Sequence, residues 1–166
     1  MSFILSAQRR TAKDCSVAFG QYREYLHQNK SKFPAGAFAL ATADWYYDPG
    51  DHRCLHDGWL ENITISEPAL GDRNEKRVTS FRIRLLAAYH DGYIELLYPR
   101  VFSYMLTSPT CKRGQGDWLF DEFRLSPLGH LIHEIEWAGF PGDQCSRWIV
   151  EASDVVFHWI PRRSTG

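Results

Sequence analysis

Residues Phe81 to Tyr98 read FRIRLLAAYHDGYIELLY. Phe81, Ile83 and Leu85 alternate with Arg82 and Arg84; beyond Asp91-Gly92, Ile94, Leu96 and Tyr98 alternate with Tyr93, Glu95 and Leu97. Successive side chains of a strand face opposite ways, so period two on both sides of a turn dipeptide predicts a hairpin with one apolar face. A two-residue Asp91-Gly92 loop pairs Tyr89 with Ile94 and Ala87 with Leu96, and the apolar faces then agree.

The same period extends outward. Upstream, Trp59, Ile63 and Ile65 point one way, with Glu61 interrupting that face. Downstream, Val101–Leu106, Trp118–Leu125, His130–Trp137, Trp148–Glu151 and Val155–Ile160 complete a set of short strands separated by turn residues. No helical pattern lies between them, which predicts an antiparallel meander. A four-residue Ser126–Gly129 loop pairs Leu125 with His130. Trp118 then faces Trp137, Phe120 faces Ile135 and Glu122 faces His133, the last two forming a structural pair. The opposite face sets Asp121 against Glu134 and Leu119 against Glu136. Like charges directly opposite destabilise a sheet, so this face should be solvated or meet a cationic partner.

The first third differs. Ala12, Cys15, Phe19, Tyr22 and Leu26 recur at spacings of three and four, one face of an amphipathic helix. Thr11 could cap it, and it should fade between Asn29 and Phe33, ahead of Pro34. Residues 34–51 read as an irregular connection with a short strand or a turn of helix, ended by Pro49-Gly50-Asp51. The expectation is one α+β domain over residues 1–166. A helix at about 8–30 packs on a mostly antiparallel β-meander sheet of six to eight strands within about 56–161.

Composition bounds the function. Hydrophobic residues are 44% and charged residues 23%, a balance that excludes a disordered chain. The formal net charge of -1 argues against a general nucleic-acid binder, which needs a basic face. No apolar run approaches the roughly 20 residues that span a bilayer. The start, MSFILSAQRR, has its apolar stretch before its arginines, the reverse of a secretory signal. Cys15, Cys54, Cys111 and Cys145 form no CxxC pair, so tight zinc-ligand spacing is absent. Reduced thiols and a cytoplasmic location are expected.

The richest stretch chemically is Asp51–Ile65, DHRCLHDGWLENITI. His52 and His56 are four apart and could share a helical face, but Pro49, Gly50 and Gly58 leave little room for a helix. His56-Asp57 is similar to the metal doublet of the helical HD-type phosphohydrolases, yet here it runs into Gly58 and a strand. The favoured reading is a loop, with Asp57 bonding turn N–H groups and His56 a carbonyl. Glu122 with His133 is half of a general-base device, without a nucleophile motif beside it. No GxSxG, Walker A, GxGxxG or HExxH run occurs. No metal, cofactor or catalytic residue is therefore expected. A small hydrolase using the His52/His56/Asp57 loop or the Glu122–His133 pair, and a structural or self-associating subunit, stand as alternatives.

Aromatic residues make up 14% of the chain, enough for some rings to line an interface. Trp45-Tyr46-Tyr47 is the densest cluster, and three consecutive rings should not all enter one core. His56-Asp57-Gly58-Trp59, Asp121-Glu122-Phe123, His133-Glu134-Ile135-Glu136-Trp137 and Asp154-Val155-Val156-Phe157 together resemble a group of small bacterial proteins. They are similar to the immunity proteins encoded beside polymorphic or contact-dependent toxins. The resemblance covers roughly residues 44–160 and carries no catalytic residues. It implies an inhibitor that binds one toxin in the cytoplasm. The expected partner-binding residues are Trp45, Tyr46, Tyr47, Asp121, Glu134 and Glu136, with no nucleic acid and no membrane as partner.

Overall fold

The computed structural model describes residues 2–5, 12–108, 114–139 and 145–162. Two helices, α1 (Ala12–Gln28) and α2 (Ala35–Ala41), precede seven strands. The strands are β1 (Trp59–Ser66), β2 (Thr79–Leu86), β3 (Gly92–Leu106), β4 (Trp118–Leu125), β5 (Leu131–Trp137), β6 (Ser146–Ala152) and β7 (Val156–Pro161). All pairings are antiparallel in one sheet of order β1-β2-β3-β6-β5-β4, with β7 also on β3. The α+β class and the strand number agree with the sequence reading. Helix α1 is described only from Ala12, so its expected start and the Thr11 cap lie outside the described residues.

Strand β3 organises the sheet. The sequence suggests two strands, Ile94–Tyr98 and Val101–Leu106, but they form one 15-residue strand that runs through Pro99. Proline has no N–H to give a ladder, and the registers shift there, next to Val101. The first half of β3 pairs β7 and the second half pairs β6. The sheet then curls until its two ends touch. Trp59 bridges Asp117, Asp57 N–H donates to the Trp118 carbonyl at 2.8 Å, and Trp118 N–H donates to the Gly58 carbonyl at 2.9 Å.

The β2–β3 turn is longer than expected. Leu85 faces Ile94 and Ile83 faces Leu96, not Tyr89 and Ala87. The turn runs from Ala87 to Gly92, closed by Ala87 N–H to the Gly92 carbonyl at 3.1 Å. Its left-handed residue is His90, at φ 59. Gly92 belongs to the strand, where a Cβ would lie 2.3 Å from the Trp159 ring. The shift is an even number of residues, so Ile83, Leu85, Ile94 and Leu96 keep their expected face, while Tyr89 leaves it for the exposed turn.

The β4–β5 turn differs by one residue, which does change faces. Ser126 N–H donates to the His130 carbonyl at 2.8 Å, and Gly129 is left-handed at φ 80. This is a three-residue loop with a glycine bulge. Leu125 therefore faces Leu131, Phe123 faces His133 and Glu122 faces Glu134. A second bulge between Trp118 and Phe120 restores the expected Trp118–Trp137 pair, with ring centroids 5.2 Å apart. A bulge between Leu60 and Asn62 likewise separates Trp59 from the face shared by Ile63 and Ile65.

Helix α1 meets the sheet along the outer edge of β4. The Tyr22 hydroxyl accepts from Phe123 N–H at 2.7 Å and donates to the Phe123 carbonyl at 3.1 Å. The Tyr25 hydroxyl accepts from Leu125 N–H at 2.9 Å. Two tyrosines thus satisfy backbone groups that would otherwise leave an open edge. Tyr22 and Leu26 are fully buried, as the helical stripe predicts. Pro34 offers no side-chain cap to α2, so Asp154 does, accepting from Gly36 and Ala37 N–H at 3.0 and 2.8 Å.

Candidate functional site

The Asp51–Gly58 segment is a loop. Asp51, not Asp57, bonds its backbone: its carboxylate accepts from Arg53 N–H at 2.8 Å and from the Arg53 guanidinium at 2.9 and 2.8 Å. The guanidinium holds the Asp51 carboxyl down at about 2. His52 turns outward, stacked on Tyr89 at 4.1 Å and 2.5 Å from the Asp91 carboxylate. His56 Nδ1 sits 3.2 Å from Asp57 Oδ1 rather than on a carbonyl. The two histidines thus take different partners, and among the described residues no three His, Cys, Asp or Glu side chains form a group that could hold a metal. Cys111 lies outside the described residues.

The expected Glu122–His133 pair is not formed. The one-residue register difference puts Glu122 on the face opposite His133. It also separates Asp121 from Glu134 and Glu136, which had been expected to share a strip. Neither group is solvated: Asp121, Glu134 and Glu136 are all buried.

On one face lie Glu122, Glu134 and Glu136. Glu122 Oε2 accepts from Phe3, Ile4 and Leu5 N–H at 2.9, 2.7 and 3.3 Å. Its Oε1 is 2.9 Å from Arg124 Nε, within ion-pair distance but without hydrogen-bond alignment. Arg124 also pairs with Glu134. Arg147 reaches Glu134 at 2.8 Å, Glu136 at 3.1 Å and the Leu5 carbonyl at 2.8 Å. The cationic partner that this acidic face requires comes from within the chain. Burial still pushes the Glu122 carboxyl up, against the pull of the three N–H groups and Arg124.

On the other face a polar network runs through the core. His133 Nδ1 is 2.6 Å from the Tyr98 hydroxyl, and Nε2 is 2.9 Å from Asp121 Oδ2. Tyr46 donates its hydroxyl to the same Oδ2 at 2.7 Å, and Trp118 Nε1 donates to Oδ1 at 3.1 Å. With Nε2 donating to Asp121, Nδ1 can accept from the Tyr98 hydroxyl. Tyr98 and His133 are fully buried. Burial pushes the Tyr46 and Tyr98 hydroxyls well up, and the Asp121 charge adds to it. The buried Cys54 thiol donates to the Tyr46 carbonyl at 3.3 Å. Burial raises it to about 11, which keeps it a thiol and not a nucleophile.

Trp45, Tyr46 and Tyr47 do not form a surface patch. The chain winds here in successive turns, Tyr46 N–H to the Ala43 carbonyl and Asp48 N–H to the Trp45 carbonyl, so neighbouring side chains fan out and all three rings pack inward. Trp45 lies between Phe157, at 4.8 Å, and the Arg53 guanidinium, at 4.7 Å. Tyr46 is fully buried. Tyr47 donates to the Asp121 carbonyl at 3.3 Å.

Tyr47 also borders a cleft of about 270 Å³ between α1, the Asp51–Gly58 loop and the start of β4. Phe19, Tyr46, Trp118, Phe120 and Asp121 line it as well. The sequence reading missed this cleft and the Asp121 network. One usable signal was Ser-Pro-Leu-Gly before His130, where glycine suits the left-handed place of a three-residue loop. That turn puts His133 on the face of Asp121.

The second apolar feature is β1. Its pairing to β2 leaves its other edge without a strand beyond the Trp59–Asp117 bridge, among the described residues. Ile63 and Ile65 are 37% and 39% exposed. The run Asn62-Ile63-Thr64-Ile65-Ser66 carries no charge.

Compared with known proteins, the chain matches no family model, no curated protein and no solved structure.

Proposed function

We propose that this chain is a non-enzymatic binding module of the bacterial immunity type, which neutralises a toxin domain in the cytoplasm by covering it. The observation that carries this reading is the outer edge of β1. Edge strands in monomeric proteins are blunted by charge, proline or a cover. Residues 62–66 have none of these among the described residues, and two of the five are exposed isoleucines. Such an edge suits an extended partner segment, whose backbone extends the ladder while its side chains lie along Ile63 and Ile65. The buried state of His133 and Cys54 supports binding over catalysis.

The test is co-expression with the product of the adjacent gene. Restored growth and a stable complex, both lost in the Ile63→Lys, Ile65→Lys double variant, support the reading. These side chains are exposed, so the substitution spares the core. A toxic neighbour that still kills, no toxic neighbour, or a complex indifferent to the double variant overturns it.

A further inference from the structure

We propose that the cleft beside Asp121 is a binding site for a small organic ammonium ion, with its rings as walls and the Asp121 carboxylate as counter-charge. Its volume of about 270 Å³ exceeds the roughly 150 Å³ that accommodates a benzene in a buried apolar cavity. Phe19, Tyr46, Tyr47, Trp118 and Phe120 contribute five rings. Tyr46 and Tyr47 stand at 88° with centroids 4.7 Å apart, and Phe19 and Tyr47 at 69° and 5.2 Å. A cation over a ring face gains from the ring quadrupole, most where water is excluded.

Charge decides between a cation and a neutral guest. The Tyr46 hydroxyl and Trp118 Nε1 donate to the Asp121 carboxylate, and His133 Nε2 lies 2.9 Å from its Oδ2. A carboxylate has about four acceptor positions, so they leave one vacant. The basic side chain that meets Asp121 is His133, and no lysine or arginine pairs with Asp121 or lines the cleft among the described residues. Buried carboxylates are ordinarily paired, as Glu122 and Glu134 are on the opposite face of this sheet. The one basic side chain in the cleft lining, His56, has its Nδ1 3.2 Å from Asp57 Oδ1 without hydrogen-bond alignment. Burial first, with the Asp121 charge adding to it, pushes up the Tyr22, Tyr46, Tyr47 and Tyr98 hydroxyls and the Cys54 thiol. Phe19, Leu119 and Phe120 are only half-buried and Pro49 is exposed, so the cleft opens to solvent at its rim. This site is separate from the β1 edge and stands without the immunity reading.

Trp118 lines the cleft, which makes tryptophan fluorescence a direct readout. Choline and its neutral isostere 3,3-dimethylbutan-1-ol are titrated into the full chain, with calorimetry as a check. Choline should bind about tenfold tighter or more, the scale of a desolvated cation–π contact with a nearby counter-charge. Asp121→Asn should abolish the preference. Because Asp121 is buried, that variant endangers the fold, so Phe19→Leu at the rim is the second arm. It keeps the wall apolar, and it should weaken choline several-fold while leaving the alcohol unchanged. Equal affinity for the two probes overturns the proposal. So does binding of neither at millimolar concentration, or an equal loss of both in Phe19→Leu.

Discussion

Glu122 and Glu134 lie directly opposite each other on β4 and β5, both buried, with the Arg124 guanidinium contacting both. Opposed like charges would drive the strands apart. Arg124 converts the pair into a bridge, so its removal leaves two buried carboxylates facing each other. Arg124→Met should destabilise the fold by about 3–5 kcal/mol, the cost of breaking a buried ion pair from one side. Arg147→Met should cost clearly less, because its side chain is 39% exposed against 16% for Arg124. Urea unfolding of the two variants checks the order.

Glu122 gives the fold a pH dependence of defined sign. Its folded carboxyl is raised above the ordinary value by burial. Stability from this group is therefore fully present below the unfolded value of about 4.3 and is lost as pH rises through the raised one. Glu122→Gln removes that dependence. The stability of the wild type relative to Glu122→Gln should fall as pH rises from about 4.3. A flat difference across that window in urea unfolding would contradict the assignment.

Tyr98→Phe removes only the hydroxyl that meets His133 Nδ1. The imidazole then keeps a buried nitrogen without a partner. The expected cost is about 1–3 kcal/mol, and the His133 ring signals in the NMR spectrum should shift. An unchanged midpoint of thermal unfolding would show that the network is not needed for stability.

Gly92→Ala tests the close approach of Trp159. The added Cβ would meet the indole at 2.3 Å, so either the ring or β7 must move. Overpacking of this kind costs about 1–3 kcal/mol. Hydrogen exchange should speed up along Val156–Pro161 more than in β5, which does not pair β7.

The alternation from Phe81 to Tyr98 determined much of this protein without help from tertiary structure. A strand exposes its faces with period two, so the hairpin turn could be misjudged by an even number of residues and Ile83, Leu85, Ile94 and Leu96 would still point inward. The α1 stripe was legible for a similar reason, since Tyr22 and Leu26 must share one side of any helix there. What only the tertiary structure decided depended on one residue or on distant partners. A one-residue difference in register at the Ser126–His130 turn moved Glu122 away from His133 and put His133 on the face of Asp121. The acidic residues looked like surface because their cover comes from elsewhere in the chain. Glu122 is met by backbone N–H groups 117 to 119 residues away, and Glu136 by Arg147 on β6. Three consecutive rings could enter the core because the chain turns at each of them. Periodicity carries information along one element; register and charge compensation arise between elements, where local pattern has no reach.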